Sequence, residues 1–207
     1  MGGFGQENNG GSMGGPLVIS FFTIDTPYEK EVQQLLDSCQ RFNIEHHVEG
    51  VSSKGSWLRN VAMKPQFICD KLLEFQRPLF WVDADAVFQK KPEFELFHQY
   101  DIAVREMAAY ANDRWLKLAA GSIFLNYNPQ MTQFVRDWAQ ISQEKVEEDI
   151  VNLFYLDQTS LLQALENHSQ LNIGKLPTSY CKIFDEGDSS EVVIEHYQAS
   201  RRFIDLI

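Results

Sequence analysis

Two carboxylates, Asp83 and Asp85, stand two positions apart directly after the apolar run at 79–82. On an extended backbone residues i and i+2 project to the same side, so both carboxylates can meet one ion. Like charges this close repel each other, which favours a cation between them. Hard oxygen ligands suit Mg²⁺, Mn²⁺ or Ca²⁺, and such an ion can also bridge phosphate oxygens. The alternative is that one acid simply caps a turn after the strand.

The segments around this acid pair predict strands that alternate with helices. Apolar, β-rich runs predict strands at 17–24, 44–51, 79–82, 101–106 and 119–127, with short strands near the C-terminal end. The alternation predicts an α/β fold of one domain, a Rossmann-like open twisted sheet that is mostly parallel and flanked by helices. Ligands of such sheets bind outside the carboxyl ends of the strands, which is where the acid pair lies.

Four helices are predicted between the strands. Asp25 or Thr26 is expected to cap the first, with Pro27 in its first turn. A second helix is expected to begin near Lys64 and a third at 128–129. A fourth is expected near Asp157, which is itself a good N-cap residue.

The composition excludes several classes of protein. Among 207 residues, 44% are hydrophobic and 13% aromatic, which is enough for a folded core. The net charge of -11 argues against a nucleic-acid groove, which requires clustered Lys and Arg. An anionic substrate would therefore need a local cation. Three cysteines without CxxC spacing favour buried free thiols over a disulfide framework or a zinc ribbon.

Residues 1–16 differ in composition from the rest of the chain. They contain seven of the twelve glycines and predict a flexible leader, either a tag or a linker. The folded domain is expected at 17–207. No run approaches the ~18 apolar residues of a transmembrane segment, which is consistent with a cytoplasmic enzyme. The alternative is the soluble catalytic portion of a membrane-anchored lumenal enzyme.

The acid pair is also compatible with a phosphohydrolase. "DADAV" fits the D-x-D-x-[TV] motif of haloacid-dehalogenase-type phosphatases, in which Asp83 would be the nucleophile. That motif normally opens its domain, whereas two strand–helix units precede it here. An EF-hand calcium loop is excluded, because "DADAVFQKKPEF" lacks the central Gly and the closing Glu of that motif.

Several motifs occur in a recognisable order. They are "FFT" followed by Tyr28, then "GSWLRNVAMKPQFI", "VDADAVF", "AAGSIFLNY", Asp157–Gln158 and "HYQASRR". With these the chain resembles, over 17–203, the nucleotide-diphospho-sugar transferases of GT-A fold, particularly glycosyltransferase family 8. The resemblance implies transfer of a sugar from a nucleotide-diphosphate sugar, with UDP-sugar favoured, to an acceptor hydroxyl. It also implies retention of anomeric configuration. A non-catalytic module that binds nucleotide or sugar is the remaining alternative.

The resemblance also implies a metal site and phosphate contacts. Asp83 and Asp85 would hold Mn²⁺ (or Mg²⁺) as the DxD motif, and His196 would complete the ligand set. The metal would offset charge on the leaving nucleoside diphosphate. Arg201 and Arg202 are expected either to grip phosphate oxygens or to form a solvated basic tail.

The nucleotide pocket is expected to contain five further residues. By resemblance, Thr23 and Tyr28 would line the nucleoside end, and Trp57 and Asn60 would approach the nucleotide. Lys64 would contact the donor phosphates. Each also has an ordinary structural interpretation, as a strand end, a loop anchor or a surface lysine.

The sugar end is expected to contain four residues. By resemblance, backbone at Gly121 and Ser122 would approach the donor sugar, whereas a strand glycine otherwise indicates a bulge. Asp157 and Gln158 would face the sugar or the acceptor. Asp157 would position or deprotonate the acceptor hydroxyl. The acceptor class stays open among glycans, proteins and lipid-linked sugars.

Overall fold

Strands and helices alternate along the chain, as the sequence pattern predicts. The computed structural model describes residues 15–107, 111–113, 116–147, 156–187 and 191–203, so most of the predicted leader lies outside them. The strands are β1 Leu17–Thr23, β2 His46–Val51, β3 Leu79–Val82, β4 Ala86–Phe88, β5 Ile102–Glu106, β6 Leu118–Leu125, β7 Ile173–Lys175, β8 Lys182–Ile183 and β9 Ile194–His196. The helices are α1 Tyr28–Arg41, α2 Trp57–Val61, α3 Met63–Phe75, α4 Pro129–Glu147, α5 Leu156–Asn167 and α6 Ser200–Phe203.

Six of the strands form one sheet in the order β2-β1-β3-β6-β5-β7. β1 pairs in parallel with β2 and β3, and β5 pairs in parallel with β7. β6 runs antiparallel to both of its neighbours, β3 and β5. The α/β prediction is confirmed, and β3, which carries the acid pair, occupies an inner position in the sheet.

The sheet is covered on both faces, which explains why its strands are apolar at consecutive positions. In β3, Leu79 and Trp81 belong to one buried cluster, together with side chains of α3, α4 and α5. Phe80 and Val82 belong to a second cluster on the opposite face, together with side chains of α1. In the part of the chain that the structure describes, no helix is both long and apolar enough to cross a bilayer.

A second, smaller sheet brings the C-terminal part of the chain to the acid pair. Its order is β4-β9-β8, and β4 begins just after Asp85. β4 pairs antiparallel with β9 in a register that places Ala86 opposite His196. This pairing connects positions more than 100 residues apart and delivers His196 to the end of β3.

The helices predicted to begin near Lys64, at 128–129 and near Asp157 begin close to those positions, but two of the predicted N-caps need correction. The N-cap of α1 is Pro27 rather than Asp25 or Thr26. The Thr26 hydroxyl still contacts the first turn, because it accepts the Tyr28 N–H at 3.3 Å while it donates to the Thr23 carbonyl at 2.7 Å. Helix α5 already begins at Leu156, so Asp157 lies inside the first turn rather than at the cap. Asn128 does cap α4, since its side-chain oxygen accepts the Met131 N–H at 2.9 Å.

Candidate functional site

The acid pair lies at the carboxyl end of β3, whose four residues are fully buried. The backbone N–H of Asp83 donates to the carbonyl of Gly121 on β6 at 2.9 Å, and the chain then turns, with Ala86 N–H donating to the Asp83 carbonyl. Asp85 is 8% exposed. Backbone hydrogen bonds at the carboxyl end of β3 therefore hold both carboxylates in place.

One oxygen of each carboxylate is already committed to the protein. Asp83 Oδ1 accepts from the Trp81 indole N–H at 3.0 Å and lies 2.9 Å from Lys64 Nζ. Asp85 Oδ2 accepts the backbone N–H of Ala199 at 2.6 Å. The other oxygen of each carboxylate, Asp83 Oδ2 or Asp85 Oδ1, takes no part in these contacts.

His196 completes a three-residue cluster with the two acids, in which one ligand atom from each residue lies within 4.8 Å of the others. Its Nε2 lies 2.8 Å from Ser122 Oγ, whereas its Nδ1 is buried without a hydrogen-bond partner among the described residues and lies 3.9 Å from Asp85 Oδ1. A Cβ added at Gly121 would come within 3.1 Å of Nδ1 and 3.4 Å of Asp83 Oδ2. The glycine thus preserves the space that the cluster faces.

Two carboxylates and an imidazole form a donor set that suits a divalent cation such as Mn²⁺ or Mg²⁺. The unpartnered, buried Nδ1 supports this fit, because a buried polar atom without a partner is costly unless something binds it. The predicted ligands Asp83, Asp85 and His196 are therefore brought together, as a metal site requires.

The three groups influence one another's ionisation. Burial raises the pKa of Asp83, although Lys64 opposes the shift. Burial also acts to raise the pKa of Asp85, but the nearby His196 and the hydrogen bond from the Ala199 N–H outweigh it and the pKa falls. Burial alone would lower the pKa of His196, but Cys181 and Asp85 raise it to about 10.

Lys64 lies beside the acid pair and is 4% exposed. Its Nζ donates to the Asp157 carboxylate at 2.6 Å and to the Ala120 carbonyl at 3.2 Å, and it pairs with Asp83 at 2.9 Å. The three N–H groups of this ammonium therefore have three acceptors. Asp157 is held from its other oxygen as well, because Oδ1 accepts the backbone N–H of Gln158 at 2.9 Å.

A pocket opens in front of these groups, between the ends of β1 and β3. Eight of the predicted site residues line it: Thr23, Tyr28, Trp57, Asn60, Lys64, Asp83, Asp85 and Asp157. Burial and the charge of Asp85 raise the pKa of the Tyr28 hydroxyl well above its usual range, against an opposing hydrogen bond from Trp57. The Asn60 side chain accepts the Lys54 N–H at 2.7 Å and so holds the loop after β2 at the pocket rim.

The other predicted residues lie around the pocket rather than in its lining. Gly121 and Ser122 lie behind the acid pair, against His196. Gln158 follows Asp157 on α5. Arg201 pairs with Asp185, and Arg202 pairs with Glu31 on α1, and both arginines are about half exposed. Ion pairs of this kind favour neither of the two alternatives predicted for the arginines.

Several contributors to the pocket were missed in the sequence, among them Trp81 and the segment 199–200. Trp81 stands two residues before Asp83, so strand alternation alone places its indole on the same side as the carboxylate. Ala199 donates to Asp85 and Ser200 lines the pocket. Both residues belong to the "HYQASRR" motif, but their approach to the acid pair follows from the pairing of β9 with β4.

Comparison with known proteins agrees with this geometry. The family model described as nucleotide-diphospho-sugar transferase matches residues 19–200. A solved structure described as a glycosyltransferase involved in the glycosylation of the major capsid of PBCV-1 is similar in fold, with a TM-score of 0.69 and 11% sequence identity, over 94% of this chain and 100% of that one. No significant match was found among curated proteins. Since the family model covers most of the chain, the chain belongs to the nucleotide-diphospho-sugar transferase family.

Proposed function

We propose that this protein is a metal-dependent glycosyltransferase that transfers a sugar from a UDP-sugar to an acceptor hydroxyl on a glycan, a protein or a lipid-linked sugar. The observation that carries the proposal is the cluster of Asp83, Asp85 and His196, with a free ligand atom on each residue, beside a pocket at the end of β3. Family membership supplies the nucleotide-sugar donor class.

Asp83, Asp85 and His196 would hold the cation, Mn²⁺ or Mg²⁺. A cation bound there would offset the negative charge on the leaving nucleoside diphosphate. The chain's own contribution is to keep both carboxylates in place. Asp83 Oδ1 is fixed by Trp81 and Lys64, and Asp85 Oδ2 is fixed by the Ala199 N–H.

The nucleoside would lie at the aromatic end of the pocket. Tyr28 and Trp57 offer ring surface for a base, and Thr23 lies at the end of β1 beside them. The Tyr28 hydroxyl is protonated at neutral pH, as for any tyrosine, and would be available to the donor as a hydrogen-bond donor. Together these side chains would orient the donor with its diphosphate toward the acid pair.

The sugar would lie at the end of the pocket formed by Lys64 and Asp157. Both oxygens of Asp157 already have protein partners, which favours a role in fixing Lys64 over proton abstraction from the acceptor. A retaining reaction without a committed protein base is compatible with that arrangement. Gln158 would take its position from the same turn of α5.

Calorimetric titration of UDP tests the proposal. The wild type is expected to bind UDP in Mn²⁺ and to lose binding in EDTA, and Asp85→Asn is expected to bind neither Mn²⁺ nor UDP. Asp37→Asn, which alters an exposed acid on α1, serves as the matched control and should behave as wild type. Absence of UDP binding to the wild type in Mn²⁺ would contradict the assignment of the donor.

Turnover separates the remaining alternatives. Release of UDP from UDP-sugars in the presence of acceptor glycans is expected for a transferase. Binding of UDP without release would indicate a non-catalytic module. Release of phosphate from simple esters without any nucleotide requirement would instead support Asp83 as a phosphohydrolase nucleophile.

A further inference from the structure

The His196 ring is held by one buried hydroxyl. Its Nε2 lies 2.8 Å from Ser122 Oγ, and the two residues are 4% and 0% exposed. Ser122 lies on β6 directly opposite Val82, the residue that precedes Asp83. The hydroxyl therefore reaches His196 from behind the acid pair, on the side away from the pocket.

The two nitrogens of this ring face different surroundings. Nε2 faces Ser122, whereas Nδ1 has no hydrogen-bond partner among the described residues and points toward Asp85 Oδ1 and the space preserved at Gly121. A histidine binds a cation only through an unprotonated nitrogen, so binding through Nδ1 requires that the proton sits on Nε2. Nε2–H must then donate to an acceptor, and Ser122 Oγ lies 2.8 Å from it. The Cys181 thiol also lies near the ring, but it is a weaker acceptor than a hydroxyl.

We propose that Ser122 is a positioning residue, which fixes the ring orientation and tautomer of His196 so that Nδ1 faces the cation. This inference rests on the proposed metal site and gives Ser122 a role different from the expected contact with the donor sugar. Because Ser122 is fully buried, bulk water has no access to replace its hydroxyl in the Ser122→Ala variant. The ring would then be free to rotate or to change tautomer.

The dissociation constant for Mn²⁺ alone, measured by EPR of the free ion, tests the role without an activity assay. Loss of a hydrogen-bonding partner behind a metal ligand typically weakens metal binding about 10- to 100-fold, and Ser122→Ala is expected to fall in that range. The affinity for Mg²⁺ should fall less, because Mg²⁺ favours oxygen ligands and depends less on a correctly oriented imidazole. Ser20→Ala removes a buried hydroxyl without a described partner on β1 and should leave both affinities unchanged.

A double-mutant cycle with His196→Ala separates positioning from a general structural effect. If Ser122 acts only through the ring, Ser122→Ala in the His196→Ala background should cause no further loss of Mn²⁺ affinity. A loss of the same size in both backgrounds would overturn the proposal. Failure of the wild type itself to bind Mn²⁺ would refute the metal site, which is a different result from unchanged binding by Ser122→Ala.

A second measurement uses the wild type alone and so does not depend on the folding of a variant. With Cd²⁺ as a diamagnetic probe, ¹⁵N NMR of labelled histidine should show Cd²⁺ on Nδ1 of His196 and a proton on Nε2. Cd²⁺ on Nε2 would overturn the proposal, because Ser122 would then face the wrong nitrogen.

Discussion

Helix α3 carries two lysines that are each paired with two carboxylates, one in the candidate site and one at the surface. Lys64 pairs with Asp83 and Asp157, with N–O distances of 2.9 and 2.6 Å. Lys71 pairs with Glu49 and Glu74 at 2.8 and 2.9 Å. Each ammonium also lies 5.4 Å from an aromatic ring centroid, that of Trp81 or Phe67.

The two sites differ in their access to water. The Lys64 and Lys71 side chains are 5% and 13% exposed, so the sites differ mainly in their acids. Those of Lys64 are 36% and 17% exposed, whereas those of Lys71 are 43% and 53% exposed. Lys64 also donates to the Ala120 carbonyl, so its hydrogen-bonding capacity is filled by protein. A charge shielded from water depends on its partners, while a surface charge can exchange them for water. The Lys64 network is therefore a structural part of the candidate site.

Removing the ammonium should produce the largest difference between the two sites. Lys64→Met removes the buried cation that both Asp83 and Asp157 contact, and loss of one partner of a buried pair typically costs about 3–5 kcal/mol. Lys71→Met is the matched control on the same helix and should cost less than about 1 kcal/mol. The free energies of unfolding in urea, measured in EDTA, compare the two variants. Equal losses would show that burial does not distinguish the sites.

Neutralising one acid at each site should give a smaller effect of the same kind. Asp157→Asn keeps the shape of the side chain but removes a charge from its hydrogen bond with Lys64, and about 1–3 kcal/mol of stability should be lost. Glu74→Gln is the surface counterpart and should change stability by less than about 0.5 kcal/mol. An unchanged free energy of unfolding in Asp157→Asn would mean that Asp83 and Ala120 suffice to hold Lys64.

Salt should reduce the contribution of one site and not the other. The Debye length shortens from about 10 Å at 0.1 M to about 3 Å at 1 M salt, which screens exposed charges far more than buried ones. The small difference between wild type and Lys71→Met should therefore shrink in 1 M NaCl, while the difference for Lys64→Met should persist. Urea unfolding at both salt concentrations measures this. A parallel decline of both differences would indicate that water reaches Lys64.

Local patterns were sufficient to predict most of the strands and the position of the acid pair at the carboxyl end of one of them. Asp83 and Asp85 follow a buried apolar run, and this pattern depends only on neighbouring residues. The cap of α4 by Asn128 was predicted in the same way. The N-cap of α1 was placed at Asp25 or Thr26, one or two residues before the observed Pro27, because Pro27 already has helical backbone angles and a sequence pattern does not show them.

Contacts between distant segments could not be predicted from local patterns. His196 was expected as a ligand through family resemblance alone, and its approach to Asp85 depends on the pairing of β9 with β4. The contact between Ser122 and His196 spans 74 positions. Lys64 was expected to contact donor phosphates, but its buried position between Asp83 and Asp157 depends on the packing of α3 against the end of β3 and the start of α5.

The pH dependence of stability should have opposite signs at Asp83 and Glu49. Hydrogen bonding to Lys71 lowers the pKa of Glu49, so Glu49 stabilises the fold above its unfolded pKa of about 4.3 and loses this effect as the pH falls through its folded pKa. Burial raises the pKa of Asp83, so its charged form destabilises the metal-free fold at neutral pH, and this cost disappears as the pH falls.

Urea unfolding in EDTA between pH 7 and pH 3 tests these signs. The stability of the wild type relative to Glu49→Gln should fall on acidification, by no more than about 1 kcal/mol because the pair is exposed. The stability of the wild type relative to Asp83→Asn should rise over the same range. Slopes of equal sign would mean that Lys64 compensates Asp83 as fully as Lys71 compensates Glu49. The distinction between a buried and a surface lysine network would then have no electrostatic basis.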